Sequence, residues 1–188
     1  MTEPRLECAA DPEPVIRSLA SVEAPRVTDF LWRTFVATYG HVGSAANLEL
    51  LRARSYDPEI QRAELASGDI EHWVIECYGA WAGLCQLRLR TPAPDCVALR
   101  PALEVGRFYF DLGFQGTGHA ARLMTHIKQR AAQQGAAAIW LSVWKQAQQA
   151  IRFYEKQHFV AVGSMTYWYG DEAKDDWVMQ HPLPRAQD

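Results

Sequence analysis

A glycine-rich stretch, Phe110-Asp111-Leu112-Gly113-Phe114-Gln115-Gly116-Thr117-Gly118-His119-Ala120, separates two runs of different period. Before it, residues 103–110 read as a strand. After it, Ala120, Leu123, Met124, Ile127 and Ala131 recur at helical spacing, and Gly135 ends the run. A strand that passes through glycines into an amphipathic helix is a unit of layered α/β folds. The junction also gathers free backbone N–H groups and the positive end of a helix at one point, which suits an anionic phosphate. Glycine lets the backbone approach such a ligand closely.

The rest of the chain supplies the partners for this unit. Residues 15–19 read as a first strand. Phe30, Leu31, Phe35 and Tyr39 mark a helix that Gly40 stops. Residues 45–54 read as a second helix. Asp57-Pro58 opens a third, as N-cap and first helical residue, and Gly68 ends it. Residues 72–78 and 81–90 form a hairpin turning at Gly79-Ala80, with Gln86, Arg88 and Arg90 as its polar face. After the glycine loop and its helix come a strand over 137–144, a helix over 147–157, and strands over 159–169 and 177–181. This order predicts one α/β (mixed α+β) domain over 14–183, behind a flexible arm over 1–13 broken by Pro4 and Pro12.

Composition agrees with a single globular domain. The chain has 188 residues, 48% of them hydrophobic and 22% charged. The net charge is −3 and Lys and Arg do not cluster, which argues against nucleic acid as a partner. Membrane association is not expected, because no apolar run approaches about 18 residues. The N-terminus is polar with no following apolar stretch, so a cytoplasmic protein is expected. Cys8, Cys77, Cys85 and Cys96 form no C-x-x-C pair, and no His sits at zinc-ligand spacing. Free thiols and no metal site follow.

Three phosphate loops fit the glycine-rich junction in outline. A Walker A loop needs Gly-Lys-Ser/Thr, which is absent. Gly116-x-Gly118-x-x-Ala121 matches the dinucleotide fingerprint, but the strand ends well before Gly116, where a tight turn is required. Lys145, not an acid, stands at the end of the next strand, and the remaining chain is too short for two mononucleotide-binding halves. The third form is Gln115-x-x-Gly118-x-Ala120.

That third form resembles the Arg/Gln-x-x-Gly-x-Gly/Ala loop of the GNAT superfamily of N-acetyltransferases, where the loop holds the pyrophosphate of acetyl-coenzyme A. A second segment agrees. Leu141-Ser142-Val143-Trp144-Lys145-Gln146-Ala147-Gln148-Gln149-Ala150-Ile151-Arg152-Phe153-Tyr154-Glu155-Lys156-Gln157-His158-Phe159 is similar to that superfamily's strand ending in Val, Asn-containing turn, Ala-Ile-x-Phe-Tyr and Gly-Phe. The two segments stand in the family's order, and the likeness covers nearly the whole chain after the arm. It implies a twisted, mostly antiparallel sheet of six to seven strands flanked by about four to five helices. Residues 103–110 and 140–144, Tyr169-Gly170-Asp171-Glu172, Asp176-Trp177-Val178-Met179, Thr34-Phe35 and Glu64-Leu65 are similar to the bacterial branch that acetylates polyamines. Three residues depart from the family pattern. Ala147 replaces Asn, His158 replaces Gly, and Met165 replaces a His. Loss of the Asn hydrogen bond weakens cofactor binding by about 0.5–1.5 kcal/mol.

The resemblance implies an acyltransferase of the EC 2.3.1 type, with acetyl-coenzyme A as cosubstrate and a small-molecule primary amine, first a polyamine, as acceptor. Phe108, Tyr109 and Phe110 would give main-chain contacts to the pantetheine arm. Gln115, Gly116, Thr117, Gly118, His119 and Ala120 would bind pyrophosphate, with His119 acting through its backbone. Ala147 lies at the cofactor turn, and Lys156 is within range of a phosphate on that helix. Tyr154 holds the place of the general acid for the leaving thiolate. Glu104, between apolar Leu103 and Val105, is the first candidate for the base, set against a plain ion pair with Arg107; Glu71 and Glu76 rank behind it. Trp32, Phe35, Tyr39 and Tyr56 fit either a substrate pocket or the core. Many members of the superfamily are dimers, so a homodimer stays open. Two other functions also stay open: a degenerate domain that senses coenzyme A without turnover, motivated by Ala147, and a nucleotide-dependent oxidoreductase.

Overall fold

The structure, a computed structural model, describes residues 13–184. The arm expected over 1–13 therefore lies, apart from Glu13, outside the described residues, as does Cys8.

The chain runs β1 (Val15–Ser18), α1 (Ala24–Tyr39), α2 (Ala45–Ser55), α3 (Pro58–Ala66), β2 (Ile70–Cys77), β3 (Ala80–Arg88) and β4 (Ala102–Phe110). It continues through α4 (His119–Gln133), β5 (Ala138–Trp144), α5 (Gln148–Lys156), β6 (Val160–Tyr169) and β7 (Glu172–Pro182). The Asp57 side chain caps α3 by accepting from the Glu59 N–H, with Pro58 at the first position, as its residue types dictate. The β2–β3 hairpin turns one residue earlier than expected. Tyr78 and Gly79 both have positive φ, the pattern of a type I′ turn whose twist matches the strands.

All seven strands join one sheet in the order β1-β2-β3-β4-β5-β7-β6. Every neighbouring pair is antiparallel except β4–β5, whose parallel connection is made by α4. Leu123, Met124, Ile127 and Ala131 of α4 pack against Ile75, Cys85 and Leu87 on one face of the sheet. Val27, Phe30, Leu31 and Phe35 of α1 cover Val74, Trp81 and Leu84 on the other. Each fully buried Leu, Ile or Met contributes about 1.5–3 kcal/mol to this three-layer arrangement.

The polar face expected for β3 is corrected at Gln86, which is buried because α3 lies over it. Gln86 donates to Glu64 of α3 at 2.9 Å and meets buried His72 at 3.0 Å. Burial pushes the His72 imidazole down to about 4, so it is neutral. Glu64 also pairs with Arg107 of β4 at 2.7 Å. Arg107 reaches Gln61 and the Ser55 carbonyl as well, both at 3.1 Å.

That anchor sits beside a β-bulge. Leu87 pairs with Val105 and Gln86 with Arg107, so Gly106 is the extra residue. A Cβ on Gly106 would stand 2.7 Å from Arg88 Nε, which favours glycine here. β4 pairs with β5 only from Ala102 to Glu104, against Ala138 to Trp140. Past the bulge the two strands diverge, while β3 still holds β4 and β7 still holds β5. The sheet is split in its middle.

Candidate active site

Two adjoining spaces lie at the split. The wider one, about 400 Å³, lies along residues 108–110 of β4, the glycine loop and the start of α5. The smaller, about 130 Å³, lies between residues 105–109 of β4, 142–144 of β5 and the β6–β7 hairpin. Tyr39, Phe108, Tyr109, Trp144 and Tyr154 border both.

The wider space combines two devices. One is a strand edge, because residues 108–110 have a partner strand on one side only. An extended ligand with amide groups can pair there as a strand would. The other device is the entry of α4. Gly116 and Gly118 have φ of 76° and 82°, and no atom lies within 4 Å of where a Cβ would stand on either. Gly118 is the N-cap of α4, no side chain caps that end, and no acid stands in its first turn. The uncapped N–H groups and the positive helix end thus meet an open cradle. α5 also begins uncapped at Ala147, where an Asn side chain would have served. These features fit an elongated ligand with amides along its length and a pyrophosphate at its end.

The structure places the expected residues unequally. Phe108, Tyr109 and Phe110 border the wider space, as do Gln115, Gly116, Gly118, Ala120, Ala147 and Tyr154. Gln115 accepts from Gln149 at 3.3 Å, tying the loop to α5. Thr117 donates to the Phe114 carbonyl at 2.7 Å and so folds its own loop. His119 leans on the Phe114 ring, and Lys156 is exposed in the last turn of α5. Asp111, paired with Arg33, accepts from the Gly113 N–H and fixes the turn before the cradle.

Tyr154 stands where the two spaces meet, against Phe108, Phe153 and Phe159. Burial pushes its hydroxyl well above the ordinary tyrosine range, so it carries its proton at neutral pH. Glu104 lies before the bulge, 3.5 Å from Arg88, and borders neither space. The alternative to a base role, an ion pair of Glu104 with Arg107, is not the one formed: Glu104 pairs with Arg88 and Arg107 with Glu64, on either side of the bulge. Glu71 and Glu76 are held by Arg130 at 2.6 Å and Arg17 at 2.9 Å. Of the four early aromatics, Phe35 and Tyr39 border the smaller space, while Trp32 and Tyr56 stack behind Phe35.

One carboxylate in the smaller space was not singled out from the sequence for a chemical role. Asp176 of β7 is 4% exposed, and its Oδ1 has no hydrogen-bond partner. Burial pushes its carboxyl up to about 6, against the nearby Ser142 hydroxyl, which pulls it down. The available signal was its place in a strand where Asp176, Val178 and Gln180 alternate inward.

A split α/β sheet with a phosphate-type cradle at one end of the split is the class of protein that fold and cleft define. The acetyltransferase (GNAT) family matches residues 25–159. The chain belongs to that family. An uncharacterised N-acetyltransferase of Mycobacterium tuberculosis is 38% identical over 81 residues, 43% of this chain and 52% of that one. This match spans about half the length of that relative. Among solved structures, the PaiA N-acetyltransferase of Thermoplasma acidophilum in complex with coenzyme A has a TM-score of 0.72 at 16% identity, covering 92% of this chain and 100% of that one. YncA of Salmonella typhimurium, a putative acetyltransferase with its cofactor acetyl-CoA, has a TM-score of 0.67 at 18% identity, covering 94% and 98%. Both show the same fold.

Proposed function

We propose that the protein transfers an acetyl group from acetyl-coenzyme A directly to a primary amine of a small molecule, a polyamine being the first acceptor to try. One observation carries this reading. The open edge of β4, the uncapped entry of α4 and the protonated Tyr154 hydroxyl all border one continuous space. The similar PaiA and YncA structures hold coenzyme A and acetyl-CoA, which supports the choice of cosubstrate.

Bound acetyl-coenzyme A supplies an activated acetyl thioester. The backbone of residues 108–110 offers the N–H and C=O groups that hold an amide-bearing arm in line. Gln115, Gly116, Gly118 and Ala120, with the Thr117 and His119 backbone, receive the pyrophosphate. Tyr154 gives a proton to the departing sulfur, whose thiol has a pKa near 8.5 by analogy with Cys. Ala147 supports a second reading, a coenzyme A sensor without turnover, because α5 lacks the side-chain cap an Asn would give.

The deciding experiment is thiol release from acetyl-coenzyme A with a panel of spermidine, aminoglycosides, amino acids and short peptides. Amine-dependent release supports the transferase. Tight coenzyme A binding with no release supports the sensor. Gly118→Glu places bulk and negative charge in the cradle where the pyrophosphate would sit, so affinity for coenzyme A should fall by more than about a hundredfold. Gly118→Ala controls for the strain of φ at 82°. Unchanged affinity in the Glu variant, measured by calorimetry, would overturn the cradle. Tyr154→Phe should lower kcat by about 10²-fold or more while coenzyme A affinity stays within about twofold.

A further inference from the structure

We propose that Asp176 receives the acceptor: its carboxylate binds the ammonium group of a small aliphatic amine in the smaller cavity and accepts a proton from it. This inference rests on the acetyltransferase reading of the adjoining space and names the residue that receives its acceptor.

The cavity is built around an unanswered negative charge. Asp176 is almost fully buried and takes part in no ion pair among the described residues. One of its oxygens has no hydrogen-bond partner. A buried carboxylate in that state is costly unless a cation arrives with a ligand. The two basic side chains that line the cavity among the described residues are already engaged. Arg107 is held by Glu64 at 2.7 Å, and Lys174 is engaged by Glu172 and by the Val42 carbonyl at 3.3 Å. Asp175, the adjacent acid, is paired with Lys145 at 2.7 Å.

The walls fit an alkylammonium. Tyr39 of α1, Tyr109 of β4 and Tyr167 of β6 face the same space as Asp176 from three elements, with Tyr169 beside them. Burial pushes all four hydroxyls up, so these tyrosines are uncharged and line the cavity as neutral aromatic residues. Such rings pack methylene groups and attract ammonium. An amine with a carboxylate beside it would meet the Asp176 charge, so amino acids fit poorly and diamines and polyamines fit well. The cavity shares Tyr109 and Tyr154 with the cleft, so an amine bound there lies beside the group assigned to protonate sulfur.

The same burial prepares a proton acceptor. It holds the Asp176 carboxyl at about 6 before the amine arrives, and in a dry space it favours the neutral amine and carboxylic acid over the ion pair. One proton passes from the ammonium nitrogen to an Asp176 oxygen, freeing the nitrogen lone pair. That pair forms the bond to the acetyl carbon as the carbon–sulfur bond breaks. The nitrogen then sheds a second proton, the sulfur gains one, and Asp176 returns its proton to water. Glu104 is not placed for this role, since Arg88 holds it outside the cavity.

The test uses Asp176→Asn, which keeps size and removes charge and proton affinity, and Asp176→Glu. For acetylation of 1,4-diaminobutane, Asp176→Asn should lower kcat/KM by about a hundredfold or more. It should also abolish the acid limb of the pH profile near pH 6. Asp176→Glu should restore part of the rate. Coenzyme A affinity should stay within about twofold in both. A second readout needs no turnover: calorimetric binding of 1,4-diaminobutane to the protein saturated with coenzyme A. Wild type should bind it, and Asp176→Asn at least about tenfold more weakly. Equal binding, or an unchanged acid limb, overturns the proposal. If wild type binds the diamine through Asp176 yet acetylates nothing, the transferase reading falls and the amine site stands. If the Asn variant acetylates the diamine as well as wild type, the reverse holds.

Discussion

His158 is held in the left-handed region, with φ of 61°, at the end of α5. A side chain there costs about 1–2 kcal/mol that glycine would not. The contact His158 makes to His181 uses its backbone carbonyl, at 2.9 Å, so it survives loss of the side chain. His158→Gly should therefore raise stability by about 1 kcal/mol, or about 2–4 °C in a thermal melt. Asp176 makes a prediction of opposite character. Its folded pKa of about 6 lies above the usual 3.8, so ionisation is penalised in the folded state only. That penalty is absent below about pH 4, grows as pH rises through 6, and is constant above, reaching at most about 3 kcal/mol. In urea melts, Asp176→Asn should thus gain on wild type between pH 4.5 and 7.5. Single residues were legible where local rules decide: Asp57 as a cap and Gly118 at the turn into α4. Gln86 and Asp176 were not, because whether a strand residue is covered depends on which helix crosses it.

At the scale of elements, the tie between α3 and β4 sets the shape of the cleft. Arg107, buried on the bulge, is neutralised by Glu64. Removing one partner leaves the other charge buried, so Glu64→Gln should destabilise by about 3–5 kcal/mol. Glu64→Gln combined with Arg107→Met should recover much of that loss, since replacing both charges removes the uncompensated one. Chemical denaturation of the single and double variants checks this. The elements themselves were readable from period and punctuation, and their order agrees with the sequence. The bulge at Gly106 was not readable, because it exists only in the register between β3 and β4. β7 likewise starts at Glu172 rather than 177, because residues 172–176 find partners in β6 that their own polarity does not announce.

At the scale of the whole molecule, the sheet order is the fact that sequence period could not supply. β7 inserts between β5 and β6, and β4 touches β5 through three residue pairs. No helix among the described residues is long and apolar enough to cross a membrane. The gap beyond those three pairs means that the sheet has room for one more extended chain, and the proposed cosubstrate would occupy it. Folding and ligand supply then become linked quantities. A ligand that binds only the folded protein adds about 2.7 kcal/mol of stability at a hundred times its dissociation constant. The melting temperature should climb with coenzyme A concentration, and backbone amides of residues 108–110 should exchange their hydrogens with solvent far more slowly once it is bound. In a cell, the lifetime of this protein would then track its metabolite pool, with no regulator beyond the missing strand.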